Sequence, residues 1–340
     1  MKLVIAVLVA AGLAAGACTK PPDTAATGAG GMPKLRCVGA GASLNQGVPQ
    51  LMDTAKLDEK NGVDVEYKAL GTSSATQVAG VLGGDYDCAA PATTAAFAAI
   101  GKGSDLTIVG GINKGASILA IRKDAARKSG VAADAPMAER IKALKGLKIV
   151  TAAAGSGNQE LLVLLLKHYG LDPKKDVTIT GVTEASAIVG GLRQGRFDAG
   201  FYGSGVMEAN IASGEAQLWA SVPRGDMKEV FGDAVTSVII MRRSYAEKNP
   251  DVVRKLSAAL AATSRQVAED PEGSGAQLRQ GWFPQISEEV WKLTWEQGRL
   301  SFPADGKFPR TSFDAVAKLV PAEVRNGLEY EKAVDPRARG

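Results

Sequence analysis

TSSATQVAGVLGGDYD at residues 72–87 is repeated as TEASAIVGGLRQGRFD at residues 183–198, and this duplication decides the fold. A shift of 111 positions places Thr72, Val78, Gly80, Gly84 and Asp87 on Thr183, Val189, Gly191, Gly195 and Asp198, with Tyr86 on Phe197. Related loops lie upstream, Ser43-Leu44-Asn45-Gln46 before the first copy and Ser156-Gly157-Asn158-Gln159 before the second, each after a short apolar run. Each half therefore reads strand, polar loop, helix, strand, polar loop, helix, strand. A period this long, occurring twice, predicts two similar lobes facing across a cleft rather than a solenoid. Helices alternating with short apolar runs predict that each lobe holds a mainly parallel sheet.

Two β-branched runs, Ile118–Arg122 and Val235–Met241, read as crossings between the lobes. The expected division is lobe 1 beginning at 34–121, a polar hinge-proximal insertion at 122–143, lobe 2 at 144–239, and a return crossing with the helical remainder of lobe 1 at 240–340. In that remainder, Trp282, Trp291, Trp295 and Phe313 are expected to pack in the core rather than line a ligand.

At 340 residues, 45% hydrophobic and 22% charged, the chain can bury a core in each of two domains. Lys2 and the apolar run to Ala17 are too short for a membrane span and fit an export signal at 1–17. Small residues before Cys18 are similar to a bacterial lipobox, so Cys18 is a candidate lipidation site, with ordinary cleavage nearby as the alternative. Residues 18–33, rich in Pro, Gly, Ala and Thr, read as a flexible tether. Cys37 and Cys88 sit in apolar strand patterns, where a buried thiol and a disulfide are both open. A net charge of +4, with both signs interleaved, does not point to nucleic acid.

Parallel sheets bind ligands beyond the carboxyl ends of their strands, where loops lead into helix N-termini with unpaired N–H groups. In both halves these places carry Ser, Thr, Asn, Gln and Gly. Ser43, Thr72, Thr93, Ser156 and Thr183 are also good helix caps, and that is the competing structural role for each. Catalysis finds little support: the one histidine, His168, ends an apolar helix, and no His/Cys cluster has metal-ligand spacing. Asp85, Asp87 and Asp198 begin strands and read as turn residues rather than an acid pair. No catalytic residue, metal or cofactor is expected.

The segments Ala75–Ala90 with Gly84-Asp85-Tyr86-Asp87, Leu144–Ala154, Gly170-Leu171-Asp172 and Leu192–Ala199 together resemble the periplasmic solute-binding proteins of ABC importers. The resemblance is to the nitrate, sulfonate and taurine branch, similar also to thiamine-pyrimidine precursor binding proteins, and covers about Leu35 to Glu269. It implies an α/β, two-lobed periplasmic binding protein type II fold with duplicated lobes, two hinge crossings and a helical C-terminal extension. It also implies closure of the lobes over a solute and delivery to a permease in the inner membrane, from the periplasm or the extracytoplasmic membrane surface.

The loops implied to contact solute supply Ser43, Asn45, Gln46, Thr72, Ser73, Ser74, Thr93, Thr94, Asn113, Ser156, Asn158, Gln159, Thr183, Glu184, Tyr202 and Ser204. Anion binders of that branch often add a basic side chain, whereas these loops carry none and Lys114 is the nearest. The expected solute is therefore neutral, zwitterionic or weakly polar. Glu184 is expected to cap its helix, with receipt of a ligand ammonium or hydroxyl as the alternative. Two other readings of the scaffold are a lipid or sterol carrier and a pyrimidine-synthase-like enzyme.

Overall fold

The computed structural model describes residues 24–41, 43–70 and 73–340. Thr72, Cys18, the signal segment and the first part of the tether lie outside the described residues.

Among the described residues, eleven strands form two sheets: β1 (Ala26–Thr27), β2 (Pro33–Gly39), β3 (Asp64–Ala69), β4 (Cys88–Ala89), β5 (Thr107–Asn113), β6 (Ser117–Arg122), β7 (Lys148–Thr151), β8 (Thr178–Gly181), β9 (Ala199–Gly203), β10 (Ala216–Ser221) and β11 (Ser237–Met241). In the first sheet β2 lies parallel to β3 and β4, and β11 inserts antiparallel between β4 and β5. In the second, β7 lies parallel to β8 and β9, and β6 inserts antiparallel between β9 and β10. The two sheets therefore share one topology, as the duplication predicts, and the whole is the two-lobed type II binding-protein fold.

The two crossing segments do more than connect. Ser117–Arg122, read as the end of the first lobe, is a full strand of the second sheet, and Ser237–Met241 is a strand of the first. Each apolar run needs neighbours on both edges, which only the sheet across the crossing offers.

Alternation of side chains splits every central strand between two cores. On β2, Leu35 and Cys37 join one cluster and Val38 the opposite one. On β6, Leu119 and Ile121 face one side of the second sheet and Ile118 and Ala120 the other. Helix Pro250–Glu269 covers the first sheet with Val252, Val253, Leu256, Ala259 and Leu260, at helical spacing. Trp291 packs with Phe283 (5.1 Å) and Trp295 (6.0 Å), and Trp295 with Phe302 (5.7 Å), inside that same core. Phe313 is buried in the other cluster of the first lobe, and Trp282 packs against the first.

The repeated residues explain themselves structurally. A Cβ on Gly80 would fall 2.7 Å from the Tyr86 ring, and one on Gly191 would strike Phe197. The Gly80 carbonyl accepts the Asp85 and Tyr86 N–H groups, and that of Gly191 accepts those of Arg196 and Phe197. Asp87 accepts the Arg36 N–H at 2.9 Å, and Asp198 the Lys148 N–H at 2.8 Å, so each aspartate clips its strand to the parallel neighbour, β2 or β7. This is the turn role expected of them.

One expectation changes, and one alternative left open is resolved. The tether, placed at 18–33, ends in ordered structure: β1 pairs antiparallel with Pro33 and Lys34, across a turn in which Gly30 and Gly31 adopt φ of 65° and 77°. Cys37 and Cys88 lie opposite each other on β2 and β4 with Cα atoms 4.6 Å apart, and form a disulfide.

Candidate functional site

The parallel strands of the first sheet end at Gly39, Ala69 and Ala89, and those of the second at Thr151, Gly181 and Gly203. The loops leaving these ends meet at the first crossing. Asn45 Oδ1 accepts the Ala116 N–H at 3.0 Å, and Asn158 Oδ1 accepts the Ser117 hydroxyl at 2.6 Å. The matching asparagines of the two lobes thus reach consecutive residues of one segment. A Cβ built on Gly203 would lie 2.8 Å from Asn45 Nδ2, and one on Gly157 would lie 3.3 Å from the Ala92 Cβ. Between these contacts the Thr94 hydroxyl donates to Glu160 Oε2 at 2.9 Å, a direct bond from the first lobe to the second.

Four expected contact residues are instead buried spokes of the hinge. Gln46 donates to the Ala90 carbonyl at 3.2 Å and accepts the Tyr67 hydroxyl at 2.7 Å, in space left by the missing side chain of Gly39. The Thr93 hydroxyl donates to Val235 O at 2.7 Å. Asn113 donates to Leu44 O and Ser301 Oγ, and accepts the Gly115 N–H. Ser204 donates to Ala116 O at 2.8 Å. All four are buried with their polar groups bonded internally, which is where short polar side chains at a crossing find their partners.

Capping accounts for others. Ser73 caps helix Ser74–Gly83 by accepting the Thr76 N–H, and Ser74 accepts the Ala92 N–H. Ser156 caps helix Gly157–His168 through the Gln159 N–H, while the Gln159 side chain reaches back to the Gly155 N–H. Thr93 is not a cap, because Ala92 holds that position. Ser43 precedes the turn at Leu44–Gln46 without a capping bond.

Glu184 corrects the capping expectation. It occupies the position before helix Ala185–Arg193 but makes no capping hydrogen bond, since its side chain is longer than those that fold back onto the first N–H groups. Thr183 and Glu184 are exposed. Tyr202, half-buried beside them, has its phenol pushed up by burial and then by the Glu184 charge.

Glu160 is the residue that motif reading passed over. As an acid in a helix's first turn it carries an ordinary signature, and only its lobe-to-lobe bond distinguishes it. The residue is exposed, yet partial desolvation where the lobes meet raises its carboxyl above the usual range, partly offset by the Thr94 hydroxyl. Ala116 and Ser117 were likewise hidden as the small residues entering an apolar strand. Lys114 is exposed, and its backbone N–H donates to Ser301 O. His168 ends its helix as expected, with Nε2 3.6 Å from Glu229 Oε1.

Surface hollows of about 390 Å³, at Ile100, Asp105 and Arg243, and about 450 Å³, from Gln159 to Lys167 and Ile179, contain neither asparagine. Among the described residues, no group of three or more His, Cys, Asp or Glu side chains is placed to hold a metal, and no helix is long and apolar enough to cross a membrane.

The sequence model of the NMT1-like family matches residues 48–275. No curated protein matches the chain. Among solved structures, a Bordetella bronchiseptica RB50 protein is 19% identical with a TM-score of 0.71, covering 89% of this chain and 94% of its own. The alkanesulfonate-binding protein SsuA from Xanthomonas axonopodis pv. citri, bound to MOPS, is 19% identical with a TM-score of 0.62, covering 90% and 98%. A ligand-binding component of an ABC-type import system from Staphylococcus aureus, with zinc bound, is 14% identical with a TM-score of 0.66, covering 89% and 96%.

Proposed function

The chain belongs to the NMT1-like family, and from that premise we propose that it captures a small organic solute between its lobes and delivers it to an ABC permease. The observation that carries this reading is the convergence of Asn45 and Asn158 on Ala116 and Ser117. Equivalent polar loops of a duplicated fold meet at the point where the lobes swing. Closure is then favoured by contacts that a solute makes with both lobes at once.

The solute is neutral or zwitterionic and bears N–H or O–H donors. Glu160 and Glu184 stand at the two helix starts of the second lobe, and the contact loops contain no lysine or arginine. An oxyanion there would face the two carboxylates, which a donor-bearing solute satisfies, while the amide NH2 groups of Asn45, Asn158 and Gln159, whose oxygens already accept internal bonds, suit an acceptor on the same solute. The protein works outside the cytoplasm, held by a lipid at Cys18, and needs no cofactor.

Native mass spectrometry of protein purified from its own host tests the reading. A small-molecule adduct that survives mild desolvation and is lost on unfolding is expected. Conversion of that molecule by the protein would favour an enzyme instead.

A further inference from the structure

Glu208 opens the short helix Glu208–Ala212, just after the loop that leaves β9, and is 3% exposed. One carboxyl oxygen, Oε2, accepts the Gly205 N–H at 2.9 Å; the other, Oε1, is buried without a partner. Ser204 stands beside this carboxyl. Its single hydroxyl hydrogen, however, is given to the Ala116 carbonyl at 2.8 Å. An ionised Glu208 therefore leaves an acceptor oxygen unsatisfied in the interior, an expensive arrangement. Protonation removes that charge, and the oxygen of the neighbouring Ser204 hydroxyl, which itself donates to Ala116 O, is the acceptor then open to the acid. Ala116 in turn donates its N–H to Asn45 of the first lobe. The Ser204 N–H also bonds Ala116 O, at 2.7 Å. The buried acid is thus wired to the crossing.

Among the described residues, no cation is placed to neutralise it. Helix Glu208–Ala212 packs against helix Ala185–Arg193, β10 and helix Glu288–Gly298. On the first of these, Arg193 is engaged with Glu215, which also accepts from Asn210. β10 carries no titratable group, and Glu288, Glu289, Lys292 and Glu296 on the last are exposed. Nearest to Gly205 are Phe283 and Thr294, and Lys114 at the crossing is exposed. Burial pushes the Glu208 carboxyl up to about 7, against the backbone N–H groups of Gly205, Glu208 and Val206 and the Ser204 side chain.

We propose that Glu208 is a proton-linked closure group: the closed lobes hold it as the neutral acid bonded to Ser204, and opening at the crossing hydrates it and releases the proton. The inference goes beyond solute capture and rests on that reading only for the opening of the lobes. An acid with a raised pKa in the closed form makes closure strongest at low pH. Closure weakens as pH rises from the ordinary carboxylate range towards about 7, by up to about tenfold per pH unit, and changes no further above that.

Hydrogen exchange at Ala116, Ser117, Ser204 and Gly205 tests this on the solute-free chain between about pH 5 and about pH 8, corrected for intrinsic exchange. Protection in the wild type is expected to fall across the lower part of that range and then level off. In Glu208→Gln, whose amide donates to Ser204 without titrating, protection should be high and flat. Wild-type protection that is independent of pH, or an unchanged pH dependence in Glu208→Gln, overturns the proposal. Should that variant fail to fold, the carboxyl ¹³C resonance of Glu208 in the wild type decides: a midpoint near 7 supports the proposal, and one in the ordinary carboxylate range overturns it. The readout is the crossing and not the solute, so a protein with an intact pH response and no bound solute would contradict only the proposed function.

Discussion

Asn45 and Asn158 reach adjacent residues of one segment from opposite lobes: the first accepts from the Ala116 backbone and the second from the Ser117 hydroxyl. Asn45→Ala leaves a backbone N–H of the crossing unpaired and should cost about 1–3 kcal/mol. Asn158→Ala frees a hydroxyl that can rotate to another acceptor and should cost about 1 kcal/mol or less. Urea titration of the two variants checks the order; a purely ligand-facing pair would show no loss of stability at either position.

Gly80 and Gly191 are each closed off by the aromatic ring that follows in their repeat. Gly80→Ala and Gly191→Ala should destabilise by about 1–3 kcal/mol, because the added methyl meets a packed ring. Gly190, one residue away, has open space around it. Gly190→Ala should be neutral or stabilising by up to about 1 kcal/mol, through helix propensity alone. Thermal unfolding of the three variants separates packing from propensity.

The Cys37–Cys88 disulfide joins β2 to β4 in the core of the first lobe. Replacing both cysteines by serine should lower stability by about 2–4 kcal/mol from the crosslink alone, and by more if the buried hydroxyls stay unpaired. Denaturant midpoints for wild type and double variant give the difference. Equal midpoints would mean that the sulfurs contribute nothing as a bridge.

The contact loops carry carboxylates and amides but no basic side chain, so nitrate, sulfate and simple sulfonates should bind no tighter than millimolar. Calorimetric titration of each checks this, and micromolar binding of nitrate or sulfate would refute the solute class. Cys18→Ser should release the protein from the membrane fraction and abolish fatty-acid labelling in a bacterial host.

The duplicated architecture was legible because its signals are local: Gly80 and Gly191 at ring contacts, Asp87 and Asp198 at strand clips. The exchange of β6 and β11 was not, since an apolar run names a strand but not the sheet that receives it. The site divided in the same way. Asn45 and Asn158 were visible as a matched pair, whereas Gln46, Thr93, Asn113 and Ser204 looked alike in sequence and turned inward. Which way a short polar side chain points depends on partners such as Val235 and Ser301, far away in the chain. Glu160 was missed for the opposite reason, because its one telling contact, Thr94, belongs to the other lobe.

Calorimetric titration of the solute recovered from the host-purified protein, against wild type and the Asn45→Ala/Asn158→Ala double variant, tests the interlobe site most directly. Each lost contact is worth about 1.4 kcal/mol or a factor of about ten, so the folded double variant should bind about 100-fold more weakly. Unchanged affinity in a folded double variant would place the solute outside the cleft between the lobes.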